Sequence, residues 1–256
     1  MPLNFDEFKN KNVIVTGSST GIGLHTALEF LKLGAKVVFH GNNSIKNLNE
    51  TIESQTNSKN YKIIKSNFID PKEVEKFLKE AIDYLGDVDI LINNAGTMVG
   101  RYSIDKINES QFDEIFSLNA KSAFFITKKI IDIFKNKKSG CIVNVSTISA
   151  RTGGSAGSSV YAASKAFISG ITRSLVSECS PYNIRINAIS PGTIDTKFHE
   201  QYSTKEKLEK TKQKIPMQRL GTPQDCVGPI IFLCSEKLSG YITGQILEIN
   251  GGQFIS

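Results

Sequence analysis

Tyr161-Ala162-Ala163-Ser164-Lys165, followed at once by an apolar helical pattern, places an acid and a cation one helical turn apart. Residues four apart project from one helix face, so the Tyr161 phenol and the Lys165 ammonium are expected to be neighbours. An ordinary tyrosine, with a pKa of about 10, holds its proton too tightly to exchange it readily near neutrality, and a cation within a few Å favours its ionised form. Such a pair is a candidate proton donor and acceptor for interconverting a carbonyl and an alcohol. The same spacing occurs twice more. Tyr61 and Lys65 lie in YKIIK, which reads as a strand, and at about 3.3 Å per residue their heads would sit about 13 Å apart. Tyr102 and Lys106 follow Gly100 in a loop with no hydroxyl-bearing strand end just upstream. A solvated lysine beside a half-buried tyrosine is the better reading of those two pairs; Tyr161 is set apart by Ser146-Thr147 upstream.

The elements that must position Tyr161 are short apolar runs alternating with amphipathic stretches: VIV at 13, KVVF at 36, YKII at 61, VDILI at 88, CIVNV at 141, IRINAI at 184 and QILEI at 245. Few of them alternate strictly, which is the pattern of strands covered on both faces. The expected fold is α/β, a single doubly wound (Rossmann-like) domain over 1–256, with a seven-stranded parallel sheet and helices on both faces. Its binding crevice lies at the carboxyl ends of the strands, near the topological switch point. One helix is predicted from Asp70, which can cap, through Pro71 and a capping-box Glu73, to a stop at Gly86.

At those strand ends stand residues suited to a dinucleotide. Gly17, Ser18, Ser19, Thr20, Gly21, Ile22 and Gly23 join the first strand to the first helix, where glycines permit close backbone approach and a helix N-terminus attracts phosphate. The spacing is GxxxGxG, so the usual GxGxxG fingerprint is not matched. The second strand ends in His40-Gly41-Asn42-Asn43-Ser44, without the carboxylate that an NAD-selective site usually offers about 20 residues after the glycines. Ser19, Asn42, Asn43 and Ser44 could bond a ribose 2′-phosphate, with Lys46 nearby, so NADP(H) is expected over NAD(H). The asparagines also read as plain turn residues, and His40 as a satisfied strand-end histidine. Asn94, Ala95 and Gly96 follow the fourth strand, Ser146 and Thr147 the fifth, and Pro191, Gly192, Ile194 and Thr196 the sixth.

The bulk properties narrow the classes. A chain of 256 residues that is 39% hydrophobic holds enough for one large core, and nothing in its composition divides it. The net charge of +6 and pI near 9.0 raise nucleic acid as a partner, but the lysines are interspersed with acids on presumed helix faces, as in KEVEKFLKE. No apolar run is long enough to span a bilayer and the first residues lack a secretory core, so a cytoplasmic location without membrane or nucleic-acid partners is expected. The four cysteines lack metal-ligand spacing and read as buried free thiols; no metal is expected.

Taken together, TGSSTGIG, NNAG, FSLNA, IVNVST, YAASK, SPGTIDT and ITGQILEINGG occur in an order and spacing that resemble the one-domain short-chain dehydrogenase/reductase family over almost the whole chain. The resemblance implies an NAD(P)-dependent oxidoreductase in which Tyr161 exchanges the proton. Lys165 would lower the Tyr161 pKa and bond the nicotinamide ribose, and Asn119 would hold a relay water; Asn119 also reads as a helix kink or side-chain cap. Thr147 would polarise the substrate oxygen, standing where the family usually has serine, with Ser146 in reserve. The segment from Thr147 to Tyr161 is one residue longer than the commonest spacing. Asn67 and Phe68 would flank the adenine, and Pro191, Gly192, Ile194 and Thr196 the nicotinamide. Residues 197–215 would form a substrate lid in which His199 is read as solvated. The resemblance also implies a homo-oligomer, dimer or tetramer, and a small carbonyl or alcohol substrate. Candidates are a 3-oxoacyl thioester and a sugar or polyol; a cofactor-binding sensor or scaffold without activity is the non-enzymatic alternative.

Overall fold

Strand β1 (Asn12–Val15) leads into helix α1 (Gly21–Lys32), and the alternation continues through β2 (Lys36–Gly41), α2 (Leu48–Gln55), β3 (Tyr61–Lys65), α3 (Pro71–Leu85) and β4 (Ile90–Asn93). Helices α4 (Glu109–Phe116) and α5 (Ser122–Lys137) precede β5 (Gly140–Val145); α6 (Ser149–Thr152), α7 (Ser159–Ser174) and α8 (Val176–Cys179) precede β6 (Ile184–Pro191). The chain then forms α9 (Lys197–Tyr202), α10 (Lys205–Lys214), α11 (Pro223–Cys234), α12 (Glu236–Ser239) and β7 (Ile246–Ile249). The computed structural model describes residues 5–43 and 45–255, so Ser44, one of the residues expected near a ribose phosphate, lies outside the described residues.

All seven strands form one sheet in the order β3-β2-β1-β4-β5-β6-β7, and every pairing is parallel. Successive side chains of a strand point to opposite faces, and both faces are covered. Val13 and Val15 of β1 join a cluster with Phe30 of α1 and Ile230 of α11, while Ile14 between them joins Phe77 of α3 and Ile126 and Phe134 of α5. This is why the strands read as continuous apolar runs. The seven runs seen in the sequence are the seven strands, and Tyr61 and Lys65 occupy the two ends of β3.

Strand order reverses between β1 and β4, and the register aligns the carboxyl ends there. Val15 pairs with both Phe39 and Ile92, and Ile92 with Val143. The segments after β1, β4, β5 and β6 therefore emerge along one edge, as the crevice rule requires.

Helix α3 begins as its sequence predicts in one respect and not in another. The Asp70 side chain accepts from Lys72 N at 2.9 Å, with Pro71 in the first turn. No capping box forms with Glu73, because the Asp70 amide already donates to Asn67 O, and Glu73 turns to Lys76 at 4.0 Å. Gly86 closes the helix at φ +82°, a conformation that favours glycine. Between α4 and α5 the chain makes one wide π-helical turn, Ser117–Lys121, that carries Asn119. Such turns are frequent at functional sites because they re-aim a side chain out of the regular helical ladder.

Candidate active site

The glycine turn after β1 is built by close backbone packing. Gly17 sits at φ +62°, and a Cβ there would lie 2.7 Å from Ala95 Cα. A Cβ on Gly23 would lie 2.4 Å from both Gly17 O and Asn94 Nδ2, so helix α1 presses directly on the turn. Asn94 Nδ2 donates to Thr16 O at 3.0 Å and Gly17 O at 2.8 Å, and the Asn94 and Ala95 amides both donate to Thr16 Oγ1 at 3.0 Å. At the other side Gly17 N donates to His40 Nδ1 at 2.9 Å. His40 Nε2 faces Ser66 O at 3.1 Å, which fixes the neutral tautomer with its proton on Nε2. Its ring stacks on Phe68 at 3.8 Å, and burial pushes its pKa down to about 4. Thr20 makes no side-chain cap, so the first-turn amides of α1 face the cavity uncovered and form a cradle that fits a pyrophosphate.

A cavity of about 350 Å³ runs from this cradle past the end of β5 to α9 and α10. Its wall brings together Gly17, Thr20, Gly21, Ile22, Asn94 and Gly96 with Thr147, Tyr161, Lys165, Pro191, Gly192, Ile194 and Thr196. Lys165 is buried and donates from Nζ to Val145 O at 2.8 Å, which ties α7 to the end of β5. Thr147 and Ser146 differ sharply. Ser146 Oγ is buried and engaged with Ser169 Oγ at 2.8 Å and Lys165 O at 3.2 Å, whereas Thr147 Oγ1 makes only long contacts, 3.3 Å from Ser149 N and 3.5 Å from Pro191 O.

Seven of the expected residues stand back from the wall. Asn119 donates from Nδ2 to Thr97 O and Ile115 O, each at 2.8 Å, so its amide does fill the helix distortion. Its Oδ1 is buried without a protein partner. A Cβ on Gly96 would lie 2.5 Å from Asn119 Oδ1 and 3.0 Å from Lys165 Nζ, so both heads approach one point. Ala95 and Gly23 act through packing and backbone bonds on the turn. Ser19 packs on Gly41, and Asn42 is half-buried beyond it. Asn67 Oδ1 accepts from Ile69 N at 3.2 Å, and Phe68 is 2% exposed with its ring committed to His40 and Phe77.

Burial reverses one electrostatic expectation. Desolvation pushes the Tyr161 phenol up, and it pushes the Lys165 ammonium down to about 8. The spacing placed both groups on one face, but Lys165 is buried and aimed at Val145 O while Tyr161 is half-buried at the cavity wall, and partial loss of water makes forming either charge costly.

The far end of the cavity was not legible in advance. Arg101, Phe198, His199 and Lys207 line it. Phe198 lies 5.7 Å from the Tyr161 ring and 5.0 Å from Tyr202. His199, expected to be solvated, is half-buried and bonds Ser203 Oγ at 3.2 Å; burial lowers its pKa. The aromatics of α9 precede the charged stretch of α10, and nothing in their spacing indicated that they turn toward Tyr161. Among the described residues no group of three or more potential metal ligands clusters, and no helix is long and apolar enough to cross a membrane. All four cysteines are buried and free.

A doubly wound parallel sheet with a phosphate cradle at its switch point, and a phenol and an ammonium on one helix face beside it, defines a nucleotide-dependent oxidoreductase. The family model described as Enoyl-(Acyl carrier protein) reductase matches residues 17–253. The 3-oxoacyl-[acyl-carrier-protein] reductase FabG of Thermotoga maritima is 32% identical over 248 residues, 96% of this chain and 99% of the relative. The L-rhamnose 1-dehydrogenase (NADP(+)) of Thermoplasma acidophilum is 34% identical over 254 residues, 98% of each. The crystal structure of NADH-dependent reductase A1-R' complexed with NAD superposes with a TM-score of 0.85 at 30% identity, covering 99% of this chain and 100% of that one. The chain belongs to the short-chain dehydrogenase/reductase family and is an NAD(P)-dependent oxidoreductase.

Proposed function

We propose that this oxidoreductase interconverts a carbonyl and a secondary alcohol with NADP(H), using Tyr161 as proton donor and acceptor with Asn119, Thr147 and Lys165 as its partners. The observation that carries the reading is the convergence of Thr147, Tyr161 and Lys165 on one cavity that begins at the glycine cradle. The nicotinamide, when bound, supplies the hydride to the carbonyl carbon or accepts it from the alcohol carbon. In reduction, the electron pair driven onto the substrate oxygen takes the Tyr161 proton, and Thr147 Oγ1 hydrogen-bonds the same oxygen. Lys165 steadies the phenolate left behind. Asn119 Oδ1, orphaned beside Lys165, belongs to the path that returns a proton.

Preference for NADP(H) is supported by the absence of any carboxylate from Gly41 to Asn47 and by the Ser19 and Asn42 side chains, which make no hydrogen bond within the described protein. A ratio of kcat/KM for NADPH over NADH below one would overturn it. A 3-oxoacyl thioester and a sugar or polyol both remain in view as substrates, since relatives named for each are comparably similar. Assembly as a homo-oligomer is supported by Phe112 of α4 and Phe125 of α5, each 46% exposed, and a measured mass of one chain would reject it.

The central test is Tyr161→Phe with NADPH absorbance and a panel of ketones, sugars and 3-oxoacyl thioesters. Turnover should drop by about a hundredfold to ten-thousandfold while NADPH still binds. Equal turnover by the two proteins refutes the role of Tyr161, and no turnover by the wild type across a broad panel supports the sensor reading instead.

A further inference from the structure

The lid end of the cavity carries cations and no carboxylate. Arg101, His199 and Lys207 line it, and no Asp or Glu does. Arg101 is fixed by Nε to Tyr202 O at 2.9 Å and by Nη1 to Ser155 Oγ at 2.9 Å and Ala156 O at 3.0 Å; its Nη2 makes no bond to the described protein. Lys207 Nζ reaches the same Ser155 Oγ at 3.3 Å. Two cations therefore converge on one neutral oxygen, and neither forms an ion pair among the described residues. Their mutual repulsion is felt: after burial, the Arg101 charge lowers the pKa of both Lys207 and His199. Asp195, exposed and outside the wall, is the acid whose charge reaches His199.

Lys207 is exposed and Arg101 half-buried, so water screens their repulsion and the pair stands at the solvent-facing end of the cavity; a fixed guanidinium with an uncommitted N–H edge beside an ammonium is a suitable receptor for a carboxylate. The cluster belongs to the substrate end and not to the phosphate cradle. Phe198 links it to the reacting centre, with its ring 5.7 Å from Tyr161 and 5.2 Å from His199. Resting on the oxidoreductase reading above, we propose that the substrate is a small oxo acid or its hydroxy-acid counterpart, whose carboxylate is seated by Arg101 and Lys207 while Tyr161 and Thr147 address the carbonyl. Neutral carbonyl compounds of the same length are poor substrates on this account, because they leave the cations unpaired.

Matched pairs test it: 4-oxopentanoate against its methyl ester, and 5-oxohexanoate against its methyl ester, each with NADPH and by calorimetric titration. The acid should be preferred in kcat/KM, and Lys207→Gln and Arg101→Gln should each cut the acid-to-ester ratio about 10- to 100-fold, the worth of a hydrogen bond to a charged group. Lys207→Glu should reverse the preference. Lys210→Gln, on an exposed lid lysine paired with Glu206, should leave the ratio alone. Equal falls for acid and ester would indicate a merely structural role for the cations and overturn the proposal. So would a wild-type preference for the esters or for 3-oxoacyl thioesters, which would leave the oxidoreductase reading intact. If no carbonyl turns over at all, the reading itself fails; calorimetric binding of the oxo acids, lost in Lys207→Gln, then still decides the receptor, and its absence overturns it.

Discussion

The two ends of the cavity are made of different material. At the cradle the wall is a glycine turn, braced from behind by Gly23 and by the Thr16–Asn94 bonds, which lock three chain segments within hydrogen-bond range. At the lid it is side chain, with Arg101 and Lys207 converging on Ser155 across 54 and 52 residues of sequence. Backbone packing tolerates almost no variation in residue type, whereas a side-chain wall can be rewritten without disturbing the fold. The cradle is therefore the end where a substitution disturbs the fold, and the α9–α10 end is the one where it can change what the cavity accepts.

Lys165 stands at the seam between the two ends, so its loss should have the largest effect after that of Tyr161. On the proposed mechanism, Lys165→Met is expected to lower kcat by about a hundredfold or more, since it would remove the charge next to the phenolate. The wild-type pH profile gives an independent check. With the ammonium pushed down to about 8, it is charged below that pH and neutral above it, so kcat/KM for reduction should fall as pH rises through about 8. A flat profile from pH 7 to 9 would remove Lys165 from the proton chemistry.

Gly23→Ala strikes the cradle alone. The new methyl would meet Gly17 O, a backbone atom that cannot swing aside, at a separation of 2.4 Å. Overpacking of this kind costs about 1–3 kcal/mol, and it deforms the surface that faces the phosphates. NADPH affinity should drop at least about tenfold, and the melting temperature should fall. An unchanged cofactor Kd would mean that the turn is softer than its packing implies.

His40 supports the same turn through a proton-dependent bond. Its pKa is 6.5 in an unfolded chain and about 4 here, so between those values the unfolded chain binds a proton that the folded one refuses. Stability should therefore decline as pH falls from about 6.5 to 4, by roughly 3 kcal/mol in all, and be unaffected by His40 above that window. A protonated Nδ1 would also confront Gly17 N with a second donor. His40→Gln should flatten the decline in urea melts across that window; an identical slope would assign the acid sensitivity elsewhere.

What the sequence made legible follows the same division. The strands and the glycine turn could be read because β-branched runs and glycines are dictated by the backbone, and the alternative reading of Asn119 as a helix kink has its counterpart in the π turn. The direction of the Tyr161 and Lys165 shifts could not be read, since spacing fixes which face two groups share and says nothing of how dry that face is. Nor could Arg101: it lies in a loop beside the decoy Tyr102, and its relation to Tyr202 spans 101 residues. His199 looked solvated because its neighbours in sequence are charged, while its neighbours in space are Phe198 and Ser203.

The smallest effect is expected at the lid, and it separates the two ends most cleanly. Phe198→Ala removes one ring from beside Tyr161 and leaves every bond of the cradle in place. An aromatic contact of this kind is worth about 0.5–1.5 kcal/mol, so substrate KM should rise about two- to tenfold. The NADPH Kd should not move, because the ring contacts of Phe198 are to Tyr161, His199 and Tyr202 and none is to the glycine turn. Gly23→Ala should do the opposite, weakening the cofactor more than the substrate. If both variants shifted both constants in proportion, the two ends would be one cooperative unit, and the division between a fixed cradle and a variable lid would fail.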